Sequence, residues 1–284
     1  MSALASDFSP LVCIHGFSGS WRNWVPIVPE LERHHRVHVA RLAGHARGPA
    51  LPDGVPITVT ALADQLERDF DAAGIGQAHL VGNSLGGWLS LELAARGRAL
   101  SVVALSPALG WQASVAHLRR LKLKLVGGRK VLAAIAPYAE TALKHRRLRQ
   151  ALFNGAIAHS ERLTITELAA FGRDNLRCSI YFELMASFLT TEAQLGNIAC
   201  PVHIAWSELD ALIPRDPYGV RFPTLVPQAQ FSTIAGVGHV PMYDDPPLVA
   251  ATITEFTRKV DADTASRVEV HVPDHQTLVG PIAH

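Results

Sequence analysis

Gly82-Asn83-Ser84-Leu85-Gly86 stands between Ala78-His79-Leu80-Val81, an apolar run that reads as a buried strand, and a segment in which Leu85, Leu89 and Leu93 recur at helical spacing. A serine at a sharp strand-to-helix turn, flanked by glycines where side chains would collide, is held exposed as a nucleophile. The pentapeptide alone is weak evidence. With 21 glycines among 284 residues, chance supplies such a pattern in roughly one chain in ten. A near match already occurs at Gly16-Phe17-Ser18-Gly19-Ser20. The weight therefore falls on whether the remaining parts of a catalytic apparatus follow in the right order.

Upstream, Leu11-Val12-Cys13-Ile14 is a continuous apolar run ended by His15-Gly16, as suits a strand buried on both faces. Val37 to Ala40 is a second, weaker strand. Leu62, Leu66, Phe70 and Ala73 mark one face of a helix that Gly74 stops. Downstream of the pentapeptide, Leu100 to Leu105, Val202 to Trp206 and Phe231 to Ile234 read as further strands, and Leu248 to Val260 as a closing helix. Alternating strands and helices predict an α/β fold, a mostly parallel sheet covered on both faces. The interval from Trp111 to about Asn197 breaks the rhythm with helical stretches parted at Gly127-Gly128, Pro137 and Gly155, and is expected to be a helical insertion. The expected organisation is a core of residues 1–110 and 198–262, an inserted segment of 111–197, and a tail of 263–284. Within that tail, Arg267 to Val272 alternates at the period of a half-buried strand and could pair with a sheet edge, a loose tail being the alternative.

An apolar fraction of 48%, a charged fraction of 18% and a net charge of +1 describe a globular core and give no reason to expect nucleic acid as a partner. Cys13, Cys178 and Cys200 have no metal-ligand spacing and read as free thiols, two of them buried, in a reducing compartment. Met1 to Pro10 lacks the basic start and apolar stretch of a signal peptide, and no window is long enough to span a bilayer. A cytoplasmic protein is expected.

Serine catalysis needs a base to accept its proton, an acid to orient that base, and donors for the oxyanion. In an open parallel sheet these converge at the carboxyl ends of strands. Asp210 follows the strand ending at Trp206. Glu208 is a rival that sits closer to the strand end and is expected to be solvated. His239 lies in the glycine-rich loop Gly236-Val237-Gly238-His239-Val240-Pro241, after the last strand and before the last helix. Of the 14 histidines, others such as His34, His35, His38, His45, His79 and His203 have no partners at useful spacing. Structural roles suit them, and no metal site is expected. The oxyanion donors should be backbone N–H groups, one from Leu85 and one from the loop at His15-Gly16-Phe17. Phe17 is preferred there over Ser18.

Together, Ile14-His15-Gly16-Phe17, Gly82-Asn83-Ser84-Leu85-Gly86-Gly87, the Asp210 segment and Gly238-His239-Val240-Pro241 resemble the α/β-hydrolase fold with a helical lid, in the order Ser, Asp, His that this fold uses. The resemblance implies Ser84 as nucleophile, His239 as general base and then acid, and Asp210 as the residue orienting the imidazolium. Members with an aspartate nucleophile, such as haloalkane dehalogenases and epoxide hydrolases, are disfavoured because position 84 is serine. Two departures stand out. Only ten residues precede Leu11, where relatives usually carry two more strands. Arg41 occupies a loop position that is often acidic and could bring a positive charge to the pocket.

The implied activity is hydrolysis of a carboxylic ester with an apolar acyl or aryl group through an acyl-enzyme, with no cofactor or metal. The alternatives are cleavage of carbon–carbon bonds in diketone-type substrates, acyl transfer to an alcohol, and a non-catalytic ligand receptor on the same scaffold. Between His117 and Gln150 there are ten Lys/Arg and a single acid, Glu140. Such a basic insertion could also contact an anionic membrane surface weakly.

Overall fold

Every pairing in the central sheet is parallel, and the chain doubles back once within it. The computed structural model describes residues 8–109, 114–191 and 194–270. Strands β1 (Pro10–Ile14), β2 (Arg36–Val39), β3 (Ala78–Asn83), β4 (Ala99–Leu105), β5 (Val202–Ser207) and β6 (Gln230–Ile234) lie in the order β2-β1-β3-β4-β5-β6. The chain thus runs outward from β1 to β2, crosses back to β3, and then runs outward the other way. The loops after β1 and β3 part at that reversal, which opens a crevice at the carboxyl ends of the strands.

Successive strand residues face opposite sides, so each strand feeds two cores. Val12, Ile14, Leu80, Val102 and Ile204 pack on one side with Leu62, Leu66 and Phe70 of α2 (Val59–Ala72) and with α3 (Leu85–Ala95). Leu11, Cys13, Val81, Val103 and Ala205 pack on the other with Leu31 of the one-turn α1 (Val28–Leu31) and with the closing helix. The insertion between β4 and β5 holds α4 (Val115–Ile135), α5 (Ala139–Ala142), α6 (Arg146–Phe153), α7 (Ile165–Leu176) and α8 (Tyr181–Thr190). It has a small core of its own around Leu143, Phe153, Ile157, Leu163 and Leu168. Arg129 of α4 caps the end of α7: its guanidinium donates to the carbonyls of Asn175, Leu176 and Cys178 and lies 4.3 Å from the centre of the Tyr181 ring. Arg119, Arg120, Lys122 and Lys130 of the basic stretch are exposed. The expected start of the insertion at Trp111 lies outside the described residues. Short turns α9 (Arg215–Tyr218) and α10 (Phe222–Leu225) follow β5, and α11 (Pro246–Val270) closes the chain.

Two expectations are corrected. The alternation at Arg267 to Val272 does not make a strand: α11 continues through Val270, while residues 271–284 lie outside those described. Extending an existing helix adds one hydrogen bond per residue fixed, whereas a strand would have to be started anew. Thr264 and Ser266, which could break the helix, instead donate back to the carbonyls of Val260 and Ala262. Secondly, several histidines without local partners have distant ones. His79 contacts Ser101 Oγ at 2.7 Å and Asp261 Oδ1 at 2.9 Å, His35 contacts Ser9 Oγ at 2.9 Å and Thr257 Oγ1 at 2.7 Å, and His203 contacts Ser232 Oγ at 2.8 Å. Cys13 and Cys178 are buried and Cys200 is half-buried, all as free thiols. Among the described residues no helix is long and apolar enough to cross a membrane.

The sheet–helix packing makes opposite demands on two glycines. A β-carbon on Gly86 would lie 2.0 Å from the Ile14 carbonyl oxygen, while one on Gly127, inside α4, would meet nothing within 4 Å. Gly86→Ala is expected to lower the melting temperature severely or to prevent folding. Gly127→Ala should raise stability by about 0.5–1 kcal/mol, from relief of the glycine's helix penalty. Thermal unfolding of the two variants beside the parent checks both directions.

Candidate active site

Ser84 sits between β3 and α3 with φ 57° and ψ −118°, a conformation that costs a non-glycine residue about 1–3 kcal/mol. Its surroundings hold it there. The Ser84 N–H donates to the Leu105 carbonyl at 2.9 Å, and its own carbonyl accepts from Trp88 and Ala108 at 3.1 and 3.0 Å. A β-carbon at Gly82 would come within 2.0 Å of the Gly86 carbonyl. The glycines of the pentapeptide are therefore what lets the helix start this close to the strand.

Asp210 and His239 meet from the loops after β5 and β6. Asp210 Oδ1 accepts from the N–H groups of Leu212 and Ile213 at 3.0 and 2.9 Å, and Oδ2 lies 2.7 Å from His239 Nδ1. The Asp210 side chain is fully buried. Nδ1 therefore carries the ring hydrogen toward the carboxylate, and Nε2 is left as the basic nitrogen. Glu208 is exposed, as expected, and accepts from the Gly236 N–H at 2.7 Å.

Two residues that sequence reasoning did not single out hold the histidine loop. Asn83 Nδ2 donates to the His239 carbonyl at 2.8 Å. Buried Asp244 accepts from the Gly238 N–H at 2.7 Å and, with the same carboxylate, from Ala158 and His159 of the insertion. Asn83 stands inside the decisive pentapeptide, but nothing in its spacing points to a residue 156 positions away.

On the other side of Ser84 lies the loop after β1. A β-carbon on Gly16 would be 3.1 Å from Ser84 Cβ, so a side chain there would push the loop back by a few tenths of an ångström. His15 fixes the loop: Nδ1 donates to the Gly16 carbonyl at 2.9 Å and Nε2 accepts from the Leu42 N–H at 3.4 Å. Burial, with His45 beside it, pushes the His15 pKa down to about 3, and burial pushes His45 down to about 4. Both imidazoles are neutral, as the hydrogen bonds of His15 require. Among the described residues neither the Phe17 nor the Leu85 N–H has a backbone or side-chain acceptor. Ser18, the lesser oxyanion candidate, adopts φ 56° and its Oγ accepts from Asn175 of α7 at 2.7 Å.

Phe17, Ser84, Leu85 and His239 all line one cavity of about 660 Å³, within the range of small-molecule sites. Its roof is the insertion, through Leu121, Leu125, Leu132, Leu152, Phe171 and Phe188. The Phe17 ring centre lies 4.6 Å from that of Tyr181, at a tilt, and meets Phe188 edge to face at 4.9 Å. Asp174 of α7, itself buried, accepts from Ser20 Oγ at 2.6 Å and from Arg22 at 2.9 Å. The roof and the loop after β1 are thereby tied together. Arg41 does not bring charge to the cavity: it is exposed, 6.0 Å from the Trp21 ring and outside the wall.

Residues 11–252 match the alpha/beta hydrolase family, and the chain belongs to it. It is 33% identical to the epoxide hydrolase EphH of Mycobacterium tuberculosis, over 69% of this chain and 92% of that one. A more local match, 38% identity over 31% of this chain and 33% of the other, is to a 2-hydroxy-6-oxo-2,4-heptadienoate hydrolase of Pseudomonas putida. Among solved structures, a putative lipase of Acinetobacter baumannii superposes with a TM-score of 0.72 at 20% identity, covering 91% of this chain and 86% of the other. The protein is an α/β-fold hydrolase.

Two measurements test this geometry. Asp174→Asn weakens the charge-assisted bonds to Ser20 and Arg22 and should cost about 1–3 kcal/mol, read as a lower melting temperature. Acid should destabilise the fold through His15 and His45. Their folded pKa values, about 3 and about 4, lie below the unfolded value of about 6.5. The unfolded chain therefore binds more protons, and stability falls as pH drops from about 6.5 toward 4. In His45→Gln the melting temperature should fall less steeply over that window.

Proposed function

We propose that the protein is a serine hydrolase of carboxylic esters bearing an apolar acyl or aryl group. The observation that carries this reading is the 2.7 Å contact between a buried Asp210 and His239, in the cavity that the strained Ser84 also lines. His239 Nε2 takes the Ser84 proton as Oγ attacks the ester carbonyl, and the Asp210 carboxylate stabilises the imidazolium that forms. The free N–H groups of Phe17 and Leu85 receive the oxyanion. The imidazolium then protonates the departing alcohol, and water attacks the acyl-enzyme with His239 again as base. None of these steps calls on a metal or cofactor. The apolar roof favours an apolar acyl or aryl group.

Likeness to an epoxide hydrolase does not carry over to the chemistry. A serine that opened an epoxide would be left as an ether, which water does not cleave, whereas an acyl-serine is readily hydrolysed. The second reading, hydrolysis of a carbon–carbon bond in a diketone-type substrate, draws on the local similarity to the dienoate hydrolase and on Lys124 and Arg129 in the cavity wall.

A panel of p-nitrophenyl esters graded in acyl length, with a vinylogous diketone beside it, separates the two. Ester turnover is expected to exceed diketone turnover. It should fall by on the order of 10⁴-fold or more in Ser84→Ala and His239→Ala. A fluorophosphonate probe should label Ser84. Faster diketone cleavage would favour the second reading, and ester activity that persists in Ser84→Ala would remove Ser84 from the mechanism.

A further inference from the structure

At the amino end of the sheet, away from the cavity, four segments converge on one polar cluster. Ser9 precedes β1, His35 precedes β2, His79 stands at the start of β3, and Asp261 comes from α11. One ligand atom each from His35, His79 and Asp261 lies within 4.8 Å of the others. Five residues of strand separate His79 from Ser84, about 16 Å at the usual rise, so this cluster is separate from the proposed hydrolytic site. We propose that His35, His79 and Asp261, with Ser9 beside them, form a binding site for a divalent transition-metal ion of the zinc class, which fastens the closing helix to the sheet.

The hydrogen-bond pattern supports this more than the distances do. His79 turns Nε2 inward to Asp261 Oδ1, at 2.9 Å, and Nδ1 outward to Ser101 Oγ, at 2.7 Å. His35 turns Nδ1 inward to Ser9 Oγ, at 2.9 Å, and Nε2 outward to Thr257 Oγ1, at 2.7 Å. Ser9 Oγ in turn donates to Asp261 Oδ2 at 2.8 Å. Each imidazole thus aims one nitrogen at the shared centre and backs the other with a hydroxyl that can accept an N–H. That is how metal-bound histidines are oriented, with the outer nitrogen donating to a polar partner. A bound ion requires the inner nitrogen of each ring bare and the ring proton on the outer nitrogen, where the Ser101 and Thr257 hydroxyls can accept it.

Charge and space are also compatible. Both rings are buried, which disfavours a charge on either, and a metal binds the neutral imidazole. Asp261 supplies the anionic ligand, and its side chain is 40% exposed, which leaves an entry path. Tetrahedral zinc with bonds of about 2.0–2.1 Å places donors about 3.4 Å apart. The three ligand atoms must therefore draw in by up to about 1.4 Å, and Asp261, on the surface side, has room to move. Ser9 Oγ or a water completes the set. The sequence shows no sign of such a site because its members lie on elements far apart in the chain.

The test uses the full, tag-free chain treated with chelator and titrated with Co²⁺, followed by displacement with Zn²⁺. One equivalent of Co²⁺ should bind with visible d–d absorption, Zn²⁺ should displace it, and Zn²⁺ should raise the melting temperature. Asp261→Asn should weaken Zn²⁺ binding at least tenfold. Ser101→Ala, which removes no ligand, should weaken it by about 10- to 100-fold. Far-UV circular dichroism establishes that each variant is folded. No saturable binding of Co²⁺ or Zn²⁺ by the parent chain, or undiminished affinity in folded Asp261→Asn, would overturn the site and leave the cluster as a hydrogen-bond network. Neither outcome depends on ester turnover, so the hydrolase reading stands or falls separately.

Discussion

The close approach of α3 to β1 and β3 is the constraint on which the rest of the molecule depends. Gly86 lets the helix lie against the Ile14 carbonyl, and Gly82 lets the strand run beneath the first turn of that helix. With both in place the chain reverses sharply at Ser84, which adopts a strained backbone conformation. The strain is borne by a wide foundation: β3 is buried along its whole length and α3 is buried on nearly every side. A few kcal/mol of unfavourable backbone can persist where the surroundings determine the geometry this completely. The same close packing exposes the first amide of α3, at Leu85, beside the loop that β1 delivers.

Around that turn, charge is handled by burial with full pairing. Asp210 is removed from water, but two backbone N–H groups and His239 satisfy it. Asp244 is buried and accepts from three backbone amides. Asp174 is buried against Ser20 and Arg22. An unpaired carboxylate in such places would cost several kcal/mol. Each of these aspartates joins loops that no strand pairing holds together. The His15 ring does the same for the loop after β1, where burial disfavours its charged form.

How far the sequence could be read follows from the range of each interaction. The strands, the helix after Ser84 and the order Ser84, Asp210, His239 were legible because periodicity and loop position are local properties, and the fold converts chain order into spatial order at the carboxyl ends of the strands. Asn83, Asp174 and Asp244 were not legible as structural residues. Asn83 reaches a carbonyl 156 residues on, and Asp174 meets a hydroxyl 154 residues back. The misreading at Arg267 to Val272 has another cause. Six alternating residues do describe a strand, but the helix preceding them was already paid for in nucleation, so continuation prevailed. The histidine cluster combines both difficulties, since its members carry no motif and its acid stands on that extended helix.

The tethers also bear on how the insertion can move. Asp174 and Asn175 sit at the end of α7 and grip Ser20 and Ser18, the residues that follow Phe17. The same end of α7 is capped by Arg129 from α4, which forms the cavity roof. Asp244 grips residues 158 and 159 of the insertion and Gly238 beside His239 at once. One end of the roof is therefore fastened to the loop after β1 and the other to the histidine loop. A wholesale outward swing would break buried carboxylate contacts at both ends and disturb both proposed catalytic loops. Helix α4 has a mostly exposed outer surface and two consecutive glycines, and it is joined to the core through Lys124 on the Ala211 carbonyl and Tyr218 on the His117 carbonyl. The tethers thus hold the roof, at both of its fastened edges, to the loops that carry Phe17 and His239, and so keep those two loops in register with each other.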